Sequence, residues 1–165
     1  MYSEETYKKI SSWFLTKNYR IKVLKFVYKI LPIFVFISYP LLLIYLLITG
    51  SSKLLQCITV PLGVFVSVTL LRKFIDASRP YERLEIKPLM SKDTKGLSFP
   101  SRHTASSSVI AMAFLFVNMP LGIVFLSIAI LIGLSRILAG VHFPRDVLAG
   151  FLYSVMMSCI FFFVL

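Results

Sequence analysis

Residues 121–139 read LGIVFLSIAILIGLSRILA, nineteen positions with one ionisable residue, Arg136, near the end. About 20 apolar residues at ~1.5 Å each cross the roughly 30 Å hydrocarbon layer of a bilayer. This stretch therefore predicts a membrane-spanning helix with a guanidinium at one mouth. Working outward, residues 30–49, 54–74, 104–117 and 147–165 are apolar runs of the same kind, separated by polar breaks. Pro32, Pro40 and Pro61 fall inside two of them, which membrane helices tolerate where neighbouring groups satisfy the freed carbonyls. Ala105, Ser106, Ser107 and Ser108 open the third run with the small side chains that permit close helix contact. The expected fold is all-α: a transmembrane bundle of about five spans in one domain, residues 1–165.

Composition agrees with this. Of the 165 residues, 58% are hydrophobic and 15 are phenylalanine, as in multi-pass membrane proteins. The net charge of +11 does not follow one face of a soluble domain, so no nucleic-acid partner is expected. The basic residues lie between the apolar runs and in an N-terminal arm, residues 1–29, which carries Lys8, Lys9, Lys17, Arg20, Lys22, Lys25 and Lys29. Within it, residues 4–27 place Tyr7, Ile10, Trp13, Phe14, Ile21, Leu24 and Val27 at broadly helical spacing. That pattern predicts an amphipathic helix on an anionic membrane surface. The same arm lacks the apolar core and cleavage site of a signal peptide. Cys57 and Cys159 sit in apolar runs without metal-ligand spacing and are expected to be structural thiols.

Crossing the membrane at each run has a consequence for the polar segments. The arm, residues 72–103 and residues 136–146 fall on one side, and the turns at 50–53 and 118–120 fall on the other. The chain's two histidines, His103 and His142, therefore share a membrane face with most of its cations. Residues 75–100 form a long loop there, and a loop of that length between membrane helices is a functional candidate. Lys87, Lys92 and Lys95 within it are either a solvated run or a lid that recruits an anionic headgroup.

In order, the polar segments hold Arg72 with Arg79-Pro80 seven residues on, then Pro100-Ser101-Arg102-His103, then Ser135-Arg136 with His142 and Asp146. This resembles the type 2 phosphatidic acid phosphatase superfamily, the lipid phosphate phosphatases related to vanadium haloperoxidases. Its signatures are K-x6-RP, PSGH and SR-x5-H-x3-D, and the resemblance covers residues 70–150. The third signature is matched without departure. Arg72 stands where the family has lysine, with Lys73 one position out of register. Arg102 replaces the glycine of the second signature.

The resemblance assigns His142 as the nucleophile that forms a phosphohistidine. Asp146 orients its ring, and His103 protonates the leaving oxygen and then activates water. Those roles also make physical sense: a phosphate dianion needs fixed cations before a nucleophile can approach. The expected phosphate-binding set is Arg72, Arg79, Ser101, Arg102 and Arg136, with no metal and no cofactor. Taken singly, several of these residues have a plainer reading. Ser101 suits a helix cap, Asp146 the first turn of a helix, and Arg72 with Lys73 the charged end of a span. Arg83 and Arg145 suit surface charge near headgroups, while Tyr81 and Phe143 either line the entrance or pack.

The implied function is hydrolysis of a lipid phosphate at a membrane, the partners being that substrate and membrane lipids. An isoprenoid diphosphate is favoured over phosphatidylglycerophosphate or phosphatidic acid. The rivals are a phosphotransferase, which shares the first half-reaction, and a non-catalytic lipid-binding protein. Two arguments on sidedness oppose each other. The basic-residue count favours a cytoplasmic site, whereas the family works more often at the extracytoplasmic face. The oligomeric state is left open.

Overall fold

The computed structural model describes residues 3–90 and 94–164. Seven α-helices run in order: α1 Glu4–Leu15, α2 Asn18–Ile48, α3 Leu54–Ile75, α4 Pro80–Arg83, α5 Arg102–Val117, α6 Met119–Leu138 and α7 Pro144–Cys159. A π-helical turn, Ile160–Val164, extends α7. Lys92 and Leu165, both included in the sequence-based expectations, lie outside the described residues.

Four helices among the described residues are long and apolar enough to cross a bilayer, the second of them counted from α3 through α4. The remaining expected span is α5. It has 16 residues, about 24 Å at the helical rise, and is the shortest of the five once the π-helical turn is counted with α7. It is the central helix: every residue from Thr104 to Phe114 is buried, because α2, α3, α6 and α7 surround it. Small residues make this possible. A Cβ at Gly122 would lie 2.2 Å from the Leu115 backbone, and one at Gly150 would lie 2.7 Å from the Ser101 carbonyl. Only glycine lets α6 and α7 approach α5 so closely. The core around α5 includes Val35, Val64, Val68, Val109, Phe125 and Ile132, with Phe114 and Phe125 stacked at 3.9 Å. The outer faces are apolar as well, for example Leu41, Leu62, Phe65, Val124, Leu134 and Leu152. A chain apolar both inside and out is a multi-pass membrane protein.

The helical N-terminal arm expected over residues 4–27 is divided in two. Ser3 caps α1, its hydroxyl accepting from the Thr6 amide at 3.2 Å, and Glu4 and Glu5 occupy the first turn, where the helix dipole favours acids. The chain breaks at Lys17, which is extended. It then runs unbroken from the second half of the arm into the first span. At 31 residues, or roughly 46 Å, α2 exceeds the hydrocarbon thickness, so its lysine-bearing first turns lie at headgroup level. Arg20 folds back across the break, with its guanidinium 3.8 Å from the Trp13 ring and donating to the Trp13 carbonyl at 3.0 Å.

The ends of α3 and α6 meet the starts of α5 and α7 on one side of the bundle. Arg72 reaches Pro100, and the Ser101 amide donates to the Asp146 carbonyl at 2.8 Å. A second, small apolar cluster of Leu24, Met90, Ala139 and Val141 packs on that side. On the other side Lys53 donates to the Phe116 carbonyl at 2.7 Å.

Candidate active site

The connection from α3 to α5 is shaped by carboxylates binding backbone amides. Asp76 accepts from the Leu97 amide at 3.0 Å. Glu82 accepts from the amides of Arg79 (2.7 Å) and Gly96 (2.9 Å). Tyr81 donates to the Thr94 carbonyl, which places it in the packing of the loop. These bonds fold the segment back over the end of α3 and bring Arg79, the residue immediately before the turn α4, beside α3 and α5.

A cavity of about 160 Å³ results, lined by Thr69, Arg72, Lys73, Arg79, Thr94, Leu97, Arg102, His103 and His142. Its walls carry four cations and two imidazoles and no carboxylate. The two deepest guanidiniums are locked by carbonyls. Arg72, 7% exposed, donates to the Pro100 carbonyl at 2.6 Å. Arg79, 2% exposed, donates from Nε to Gly96 at 3.0 Å and from Nη1 to Val141 at 3.2 Å. A guanidinium has five N–H donors, so both retain donors after these bonds. Held this way, they form a preorganised positive field rather than one that must reorganise around an anion. Arg102 and His103 enter from the first turn of α5, whose N-terminal end adds partial positive charge.

His142 is 3% exposed and backed by a short relay. The Ser98 hydroxyl donates to Asp146 Oδ2 at 2.6 Å and lies 3.3 Å from His142 Nδ1. Direct approach of Asp146 Oδ2 to Nδ1 is 3.6 Å, too long for a good hydrogen bond. Because a carboxylate only accepts, the Ser98 proton points to Asp146 and its oxygen accepts from His142 Nδ1–H. That assignment leaves Nε2 as the basic ring nitrogen. Burial pushes the His142 pKa down to about 4, helped by the charges of Arg79 and Arg72 and opposed by Asp146. The ring is therefore neutral at pH 7 with a lone pair available. Asp146 is fully buried; its Oδ2 also accepts from the Phe143 amide at 3.0 Å.

Of the residues selected from sequence, the structure brings Arg72, Arg79, Arg102, His103 and His142 to the cavity, with Asp146 directly behind. Two others lie elsewhere. Ser101 is buried, but its hydroxyl accepts from Thr104 at 2.9 Å and makes no helix-capping bond. Arg136 is turned away: its guanidinium lies 3.8 Å from the Tyr28 ring and donates to the Tyr28 carbonyl at 2.9 Å. Only its backbone touches the site, where its carbonyl accepts from the His142 amide at 3.3 Å. Arg145 is exposed, 3.6 Å from Asp146 Oδ1 and over the Phe143 ring.

Sequence reasoning missed Ser98, Thr69 and the inward placement of Lys73. For Ser98 the available signal was its position two residues before the second signature, which begins at Pro100. Among the described residues no three His, Cys, Asp or Glu converge as a metal-ligand set.

Residues 41–165 match the family described as the PAP2 superfamily. The undecaprenyl-diphosphatase BcrC of Bacillus subtilis (strain 168) is 38% identical over 65 residues, 39% of this chain and 34% of that protein. A lipid A 1-phosphatase of Rhizobium johnstonii is 33% identical over 61 residues, 37% of this chain and 25% of that protein. The matched part thus spans about a third or less of these relatives. Among solved structures, Aquifex aeolicus LpxE superposes with a TM-score of 0.63 at 29% identity, covering 84% of this chain and 92% of that one. A PAP2-type phosphatidylglycerolphosphate phosphatase from Bacillus subtilis shares the fold, with a TM-score of 0.58 at 23% identity over 93% of this chain and 83% of that one.

Proposed function

The chain belongs to the PAP2 superfamily, and from that premise we propose that it is a metal-independent lipid phosphatase acting through a phosphohistidine on His142. The observation that carries this reading is the junction of one cavity with one relay. Fixed guanidiniums face a neutral, buried imidazole whose far nitrogen is tied through the Ser98 hydroxyl to a buried carboxylate.

In the first step the Nε2 lone pair of His142 attacks phosphorus and an N–P bond forms. The P–O bond to the leaving group breaks, that group being a lipid phosphate for a diphosphate substrate and a lipid hydroxyl for a monoester, and His103 gives its proton to the leaving oxygen. In the second step His103 takes a proton from water, the hydroxide attacks phosphorus, and the N–P bond breaks. Nε2 recovers its lone pair and inorganic phosphate leaves. Arg72, Lys73, Arg79 and Arg102 neutralise the equatorial oxygens throughout. Ser98 and Asp146 hold the ring and stabilise the charge it gains. Arg136 shapes the nucleophile loop through its carbonyl and joins the cradle only if its guanidinium leaves Tyr28.

The substrate is a polyprenyl diphosphate in this reading, with phosphatidylglycerophosphate or phosphatidic acid as the alternative. The named activity of the BcrC relative supports the first. An apolar cavity of about 350 Å³ supports a lipid tail: it lies between α2, α3 and α5, with Tyr39, Leu62, Phe65, Ser106, Val109 and Ile110 in its walls. Phe65 is one turn from Thr69, and Ser106 about one turn from His103, so the apolar cavity continues the line of the polar one. The site is placed at the extracytoplasmic face on the family's habit, against the basic-residue count.

The test is phosphate release from a panel of lipid phosphates in detergent with chelator present. Wild type is expected to be active and inhibited by vanadate, and His142→Ala to lose ~1,000-fold or more, as removal of a covalent nucleophile does. Activity that survives the substitution, or disappears with chelator alone, overturns the mechanism.

A further inference from the structure

The family match begins at residue 41, yet the segment before it grips the loop that presents His142. Tyr7 of α1 is 1% exposed, buried among residues more than 75 positions away in sequence. Its hydroxyl faces the carbonyls of Lys87 (3.1 Å) and Ala139 (3.3 Å) and accepts from the Leu89 amide at 2.9 Å. The Leu89 amide also lies 3.1 Å from the Ala139 carbonyl, so one phenol ties α1, the long loop and the end of α6 into a single knot.

The ring matters as much as the hydroxyl. Gly140 has φ +75°, and a Cβ there would lie 2.6 Å from a Tyr7 ring carbon. The turn therefore needs glycine both for its left-handed backbone and to admit the ring. Two residues later comes His142. The intervening Val141 carbonyl is the acceptor that holds Arg79. Tyr28, also ahead of the family match, takes the guanidinium of Arg136 at the other end of the same turn.

We propose that Tyr7 is a positioning residue for catalysis: the N-terminal arm is a built-in brace that fixes the Ala139–His142 turn, and through it the nucleophile and the Arg79 anchor. The arm is anchored at two points on either side of the turn, Tyr7 over Ala139 and Gly140 and Tyr28 under Arg136. Neither residue lines the phosphate cavity, so the brace acts on the rate of the chemical step and leaves substrate affinity alone. This inference rests on the phosphatase reading for its kinetic part only.

The experiment compares the full chain, wild type against Tyr7→Phe, in detergent, by lipid-phosphate turnover and by amide hydrogen exchange of the segment containing Gly140 to His142. Tyr7→Phe keeps the ring and removes the hydroxyl. Loss of one buried hydrogen-bonding group corresponds to about tenfold, so kcat is expected to fall about tenfold with KM within about twofold, and exchange of the segment to quicken by about the same factor. Tyr28→Leu, which removes the ring from beneath Arg136, is expected to show the same pattern and serves if Tyr7→Phe does not fold. Lys9→Gln, on the exposed face of α1, is the unchanged control. Unchanged exchange overturns the brace; faster exchange with unchanged kcat overturns its catalytic role. An inactive wild type sinks the phosphatase reading, while the exchange measurement still decides whether the arm braces the turn.

Discussion

Replacing Ser98 by alanine tests the relay behind the nucleophile. The hydroxyl makes a 2.6 Å bond to Asp146 Oδ2, and hydrogen bonds to a buried charge contribute about 1.5–3 kcal/mol. Asp146 has little to fall back on: Oδ1 has no hydrogen-bond partner and only the exposed Arg145 guanidinium at 3.6 Å, and Oδ2 would keep only the Phe143 amide as a hydrogen-bond donor, at 3.0 Å. His142 Nδ1–H would lose its nearest acceptor, at 3.3 Å, and be left with the carboxylate at 3.6 Å. The imidazole becomes cationic as the N–P bond forms, so the loss falls mainly on the transition state. Taking about 2 kcal/mol of it there gives a drop in kcat of about 30-fold. KM should move less than about twofold, because Ser98 does not line the cavity. The assay is steady-state phosphate release, with acid-quench trapping of the phosphoenzyme to show that its formation is the slowed step. Ser108→Ala is the control, since that buried hydroxyl has no hydrogen-bond partner and its removal should leave kcat within about twofold. Ser98→Ala with wild-type kcat, or with a raised KM alone, would refute the relay.

Two other expectations follow from the same geometry. The His142 pKa, held at about 4 by burial, lies below the ~6.5 of a free imidazole. The unfolded chain therefore binds the proton first as pH falls. Stability from this group is complete above pH ~6.5 and is lost as pH falls through about 4, in total about 3 kcal/mol. Unfolding midpoints measured across that window should fall more steeply for wild type than for His142→Gln, and equal slopes would contradict the assignment. On sidedness, Lys95→Cys in a Cys159→Ser background should react with an impermeant thiol reagent added outside intact cells. Labelling only after permeabilisation would move the site to the cytoplasmic face.

The spans were legible because a bilayer imposes its demand locally: enough consecutive apolar residues to cross it, whatever the partners. Their parity was enough to bring the ends of α3 and α6 and the starts of α5 and α7 to one side. Motif spacing was enough to set Asp146 one turn after His142. The arm was harder, because its amphipathic spacing continues through Lys17, where the chain breaks. The break is bridged locally by Arg20 on Trp13, and α1 is held in place by the long-range bond of Tyr7 to Ala139; neither contact has a periodic signature.

By itself, then, the sequence determined an all-helical membrane bundle with a cationic, two-histidine face and the order of its motifs. What only the tertiary structure decided was the direction of individual side chains. Arg136 sits at its motif position yet stacks on Tyr28, 108 residues away. Ser101 turns its hydroxyl to Thr104, while Ser98, outside every signature, stands between His142 and Asp146. Lys73, one position out of register, still reaches the cavity beside Arg72. Spacing along a helix sets where a Cα lies. A long guanidinium or a rotating hydroxyl then goes to whichever buried partner satisfies it, and that partner is chosen by the fold.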